Sequence, residues 1–160
     1  MAKTIRTAAR STMCDGKRHP HQRRLPAHVL NATGRRLERA MTVLRRCRSF
    51  AALHEIIREE IGPIYGIGPL AVYDVATRIG ARLRLEPELV YLHAGTSNGA
   101  RALGFDGGDP LKPKALPREF WILKPREMED CLCIYADKLS RLPPNPAVHR
   151  TGARVARSGR

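Results

Sequence analysis

From Arg35 onward the apolar positions fall into helical register. Leu37, Met41, Leu44 and Cys47 recur every three to four residues and predict an amphipathic helix reaching Arg48. The next segment, SFAALHEIIREEIG, sets Phe50, Leu53, Ile56, Ile57 and Ile61 on one face, with Ser49 as N-cap and Gly62-Pro63 as its end. A third helix begins at Pro69, where a missing N–H is no loss, and turns Val72, Ala76, Ile79 and Leu83 to the core; Asp74 and Arg78, one turn apart, can pair. Gly80 predicts a kink or a stop, and Pro87 a new start. Residues 87–103 read as a short helix, a turn at Gly95, and a second helix capped by Thr96 or Ser97; 104–117 read as a loop. In the last periodic piece Pro125 suits a first helical position and Glu127, Glu129 and Asp130 sit near the positive end of the dipole. Its stripe is Met128, Leu132, Tyr135, Leu139 and Leu142. No alternating run and no β-hairpin signal occurs. The expected fold is all-α, a compact bundle of about six helices forming a single domain over 26–142, between an aperiodic flexible arm at 1–25 and a disordered tail at 143–160.

Charge adds a partner to this picture. The 160 residues carry a net charge of +14, unevenly spread. Residues 1–48 hold 13 Lys or Arg against only Asp15 and Glu38, 49–140 are slightly acidic, and 141–160 hold five arginines and no acid. Basic ends of this kind suit a polyanion, because each base that neutralises a phosphate releases condensed counterion; a solvated tail that only aids solubility is the plainer reading. The four cysteines, Cys14, Cys47, Cys131 and Cys133, are too few and too unevenly spaced for a disulfide framework. No apolar run is long enough to span a bilayer. The opening MAKTIRTAARSTM overlaps in composition with a transit peptide but lacks the apolar core of a secretory signal. A cytoplasmic protein without a membrane partner is the expectation, and association with a nucleoid is compatible with it.

The first helix is basic. At about 100° per residue, Arg35, Arg39 and Arg46 fall within about 40° of one another, while Arg36, Arg45 and Arg48 flank the apolar face. Such an arc is either a solvated surface or a rail along a phosphate backbone. Between the second and third helices stands IGPIYGIGPL, in which Ile-Gly-Pro occurs twice. Residues 66–72, GIGPLAV, with Ile64 before them and Ala76 after, resemble the helix-hairpin-helix motif. Glycines there admit positive φ and close approach of a phosphate to the backbone. The resemblance implies donation from the N–H groups of Gly66, Gly68, Leu70 and Ala71, helped by the helix dipole, with Ile67 as an apolar plug. The plain alternative is a tight interhelical turn.

DNA glycosylases that carry this hairpin follow it with a Val-Asp stretch, often near a histidine. The corresponding stretch here is Val90, Tyr91, Leu92, His93, with tyrosine in place of the catalytic aspartate. No lysine lies between Lys17 and Lys112, so the nucleophile of bifunctional members is absent, as is the iron-sulfur cysteine array. The resemblance, over about residues 50–105, implies a binding fold and argues against glycosylase chemistry.

Other candidates carry less. Cys131 and Cys133 lie about 200° apart around a helix and cannot share a metal. Cys14, His19 and His21 would need His28 as a fourth ligand, and Asp106 with Asp109 is ordinary loop composition as much as a cation site. No metal and no cofactor is expected. With one Trp and few Tyr and Phe, base stacking is disfavoured. The reading is therefore sequence-independent nucleic-acid binding, with duplex DNA favoured over RNA by the resemblance. It competes with a divergent repair enzyme using His93, Tyr91 and Glu88 or Asp74, and with a module whose slightly acidic centre binds a protein partner.

Overall fold

The computed structural model describes residues 1–105 and 110–142. Over these the chain is all-α, with eight α-helices, three short 3₁₀ turns and no strand. Asp106, Asp109 and the tail from residue 143 lie outside the described residues. The chain divides into two units, Met1–Glu88 and Leu89–Arg160, where a single domain over 26–142 was expected.

The first unit contains α1 (Ala2–Ala9), α2 (Ala27–Arg39), α3 (Met41–Leu44), α4 (Phe50–Ile61) and α5 (Pro69–Leu83). Helix α1 overturns the flexible arm. Ile5, Ala8 and Ala9, at helical spacing, are buried, and α1 packs against α2 and α5. One large and two small apolar side chains among bases give too faint a period to be read without the surfaces they meet. The helix closes in a Schellman turn: Thr12 N–H donates to Thr7 O at 3.2 Å, Ser11 N–H to Ala8 O at 3.0 Å, and Ser11 takes φ +48°. The turns that follow are fastened too. Buried Gln22 donates to Asp74 Oδ2 at 3.3 Å, and Arg18 donates to Leu25 O at 2.9 Å.

The basic helix also differs. It starts at Ala27, ahead of Arg35, and breaks at Ala40, where ψ is 1°. The break lies between Leu37 and Leu44, both fully buried, so each piece is oriented by its own anchor. Helix α4 begins as expected, with Ser49 Oγ accepting from Ala52 N–H at 3.2 Å. Helix α5 begins at Pro69 and runs unbroken through Gly80 to Leu83. Gly80 is a point of close packing, not a breaker: a Cβ there would stand 2.7 Å from Leu85 O and 3.4 Å from Phe50 Cδ2. Leu85 N–H donates to Gly80 O at 2.9 Å across Arg84 at φ +59°, a second Schellman turn without glycine.

The second unit holds α6 (Ala94–Ala102), α7 (Pro125–Ile134) and α8 (Ala136–Leu139). Its core joins Val90, Ala100, Leu103, Leu111, Leu116, Met128 and Leu132. Residues 87–93 are not helical. Val90 exchanges both backbone hydrogen bonds with Leu111, at 2.9 and 2.8 Å, which leaves both side chains in the core. The N-cap of α6 is His93, not Thr96 or Ser97; Thr96 Oγ1 reaches back to accept from His93 N–H at 2.6 Å. Gly95 lies inside the helix instead of forming a turn, and its lack of a side chain makes room for Cys133, whose Sγ would stand 2.6 Å from a Cβ there. The last helix is interrupted at Tyr135, and 3₁₀ turns Pro113–Ala115 and Arg118–Phe120 punctuate the expected loop.

Candidate nucleic-acid interface

Helices α4 and α5 pack against each other, and residues 62–68 join them. The joint is a stack of tight turns. Ile64 N–H donates to Ile61 O and Ile67 N–H to Ile64 O, each at 3.0 Å. Gly66 has φ +93°, a conformation that would strain any other residue. Gly62, Pro63, Tyr65, Gly66, Gly68 and Pro69 are exposed, Tyr65 almost fully at 97%. Ile64, Ile67 and Leu70 are half-buried, so the apolar residues anchor the turn while its glycines face outward.

The donors follow from this geometry. Among the described residues, the N–H groups of Gly66, Gly68 and Leu70 make no hydrogen bond. Ala71, the fourth expected donor, is corrected: its N–H is spent on Gly68 O at 2.9 Å, and its side chain is buried. Gly68 O also accepts from Val72 N–H at 3.2 Å, which fixes the orientation of the first turn of α5. Three N–H groups without a partner thus precede and open a 15-residue helix whose dipole favours an anion at that end.

The arginines separate into two kinds. Arg35 and Arg39 lie on the exposed face of α2. Arg46 does not continue their arc, since it falls in the turn after α3, beyond the break at Ala40. Arg36, which sequence periodicity placed beside the apolar face, donates to Glu60 O at 3.0 Å, near the C-terminal end of α4. That contact brings a guanidinium to the base of the hairpin. Only the tertiary approach of α2 to α4 could have shown it.

The candidate catalytic residues have separate surroundings. Asp74 lies in the first unit, held by Gln22. Glu88 is exposed, and Tyr91 is buried. His93, also buried, is hydrogen-bonded through Nε2 to Glu129 Oε1 of α7. The histidine at the α6 N-cap is thereby tied to α7 through a carboxylate that the sequence reading had assigned to the helix dipole. Cys133 Sγ stands against Gly95 beside this pair. Its thiol is pushed up by burial, with Glu129 and Asp130 adding to the effect, which is opposite to what a nucleophile needs. Cys131 is raised by burial and by Asp130 and Glu127. Among the described residues, no group of three or more His, Cys, Asp or Glu is placed to hold a metal, and no helix is long and apolar enough to cross a membrane.

No protein-family model, curated protein or solved structure matches this chain.

Proposed function

We propose that this protein binds nucleic acid without reading its sequence, duplex DNA in preference to RNA, by holding backbone phosphate on the hairpin between α4 and α5. The observation that carries this reading is the exposed turn at Gly66, φ +93°, with the unpartnered N–H groups of Gly66, Gly68 and Leu70 at the mouth of α5. Backbone donors meet phosphate oxygens irrespective of base, so such a contact positions a duplex and carries no sequence information. Arg36 at the foot of the hairpin and the exposed Arg35 and Arg39 on α2 add long-range attraction, as does the overall charge of +14.

The test is titration of a fluorescent duplex with the full chain and with Gly68→Ala, across a salt series. A Cβ at Gly68 meets nothing within 4 Å and needs no unusual φ, so the variant keeps its fold while a methyl group enters the path of the phosphate. The expected result is roughly tenfold weaker binding at every salt concentration with the salt slope little changed, because the obstructed donors are uncharged. Unchanged affinity would reduce the hairpin to a turn.

A further inference from the structure

The bases of α1 have a position as well as a charge. Arg6 on α1 and Arg10 at its C-cap, one turn apart, face Asn31, Arg35 and Glu38 on α2 across a groove of about 260 Å³. Its floor is made where Gly34 lies against Ala9; a Cβ at Gly34 would sit 3.7 Å from Ala9 Cβ. A polar contact between the helices stands toward each end of the groove. Arg6 Nη1 donates to Glu38 Oε1 at 3.1 Å, and Arg10 Nη2 donates to Asn31 Oδ1 at 3.3 Å. Arg35 stands between them along α2 and has no hydrogen bond or ion pair among the described residues.

Three guanidiniums around one open groove, against a single carboxylate, leave its lining with a net charge of +2. We propose that this groove is a second phosphate site, distinct from the hairpin, in which Arg35 takes a phosphodiester of the bound nucleic acid in a forked contact and Arg6 and Arg10 flank it; this rests on the nucleic-acid reading above. Guanidinium matches phosphate geometry with two parallel N–H donors, and one that has no partner in the protein gives up no internal contact to make that one. The exposure of the groove favours a chain passing through it over an enclosed small anion: the Arg6 side chain is 62% exposed and that of Glu38 37%. Glu38 has a defined part as a brake. It holds Arg6 in the free protein and repels an incoming phosphate, so its removal should strengthen binding.

The experiment uses the full chain and a fluorescent duplex over a salt series, with Arg35→Gln and Glu38→Gln as variants of the groove. Arg82→Gln and Glu59→Gln are charge-matched controls at exposed positions outside it. Thermal midpoints check that all fold. The expected result is a salt slope lower by about one for R35Q with roughly tenfold weaker binding, and binding tighter by roughly threefold to tenfold for E38Q. R82Q and E59Q should stay near the parent protein. If R35Q matches R82Q, or E38Q matches E59Q, the groove is not a contact, and the hairpin reading survives provided Gly68→Ala still weakens binding. If the parent protein binds no duplex, both readings fall. Inorganic phosphate at constant ionic strength is the second arm. Displacement of duplex no better than by chloride supports a phosphodiester chain as the occupant, whereas saturation at micromolar phosphate overturns it in favour of a free anion.

Discussion

Gly99→Ala should cripple the second unit, although helix propensity alone argues the opposite. Alanine in a helix interior is favoured over glycine by about 0.8–1 kcal/mol. Here, however, a Cβ would stand 2.0 Å from Leu132 O, 2.7 Å from Leu132 C and 2.9 Å from Leu132 Cα. An ordinary contact between carbon and a carbonyl oxygen is about 3.3 Å, so α6 and α7 must part by more than about 1 Å. The obstacle is backbone and cannot rotate away. Leu132 and Ala100, fully buried on either side of the contact, share a core with Val90, Leu103 and Met128. A gap of about 0.5–1 Å forfeits a quarter to a half of each dispersion contact across it. Overpacking usually costs about 1–3 kcal/mol, and this case lies at the upper end because neither partner can yield. Set against the propensity gain, a net loss of about 2 kcal/mol corresponds to a urea midpoint lower by about 1.5–2 M for a unit of this size, or to loss of its cooperative transition. The assay is urea unfolding followed by fluorescence of Trp121, the chain's single Trp, which lies in the second unit and donates to Leu116 O at 2.8 Å. Gly95→Ala is the internal comparison. Its new methyl would meet Cys133 Sγ at 2.6 Å, a side-chain atom, so it should cost less and be partly rescued by Cys133→Ala. A Gly99→Ala midpoint equal to or above the parent's, or a smaller loss than Gly95→Ala, would refute the reasoning.

Ser11→Gly should stabilise the first unit by about 1–2 kcal/mol in thermal unfolding, since it relieves a non-glycine residue at φ +48° and removes a fully buried Oγ that has no hydrogen-bond partner. Glu129→Ala should lower the Trp121 urea midpoint by the equivalent of about 1–3 kcal/mol, because buried His93 loses the carboxylate that meets its Nε2; an unchanged midpoint would show that the pair is dispensable. Brief alkylation of the native chain near neutral pH, read by peptide mass spectrometry, should label exposed Cys14 first. Cys47, Cys131 and Cys133 should lag, because burial raises all three thiols and leaves little thiolate.

Much of the candidate interface was legible from residue types. Gly66 between apolar neighbours announced a turn needing positive φ, and Pro69 announced the first turn of α5; both are found. Ala71 was misjudged as a donor because its N–H is claimed by Gly68 O, a matter of turn geometry that spacing does not specify. Arg46 was misplaced for a similar reason: projecting a constant angle per residue assumes an unbroken helix, and α2 breaks at Ala40. The groove residues Arg6, Arg10, Asn31 and Glu38 were missed altogether. Each pair has helical spacing, yet nothing local says that α1 and α2 face one another.

Sequence by itself determined the all-α class, the cap at Ser49, the start of α5 at Pro69, and the glycine turn before it, because propensity, capping and positive φ are settled within a few neighbouring residues. The tertiary structure alone decided that residues 2–9 form a helix, that Gly80 and Gly99 are places of close approach and not breaks, that His93 meets Glu129, and that three arginines share a groove. A short stripe such as Ile5, Ala8 and Ala9 is worth little until another surface covers it. A glycine or a charge far along the chain has its meaning set by the atom that arrives opposite.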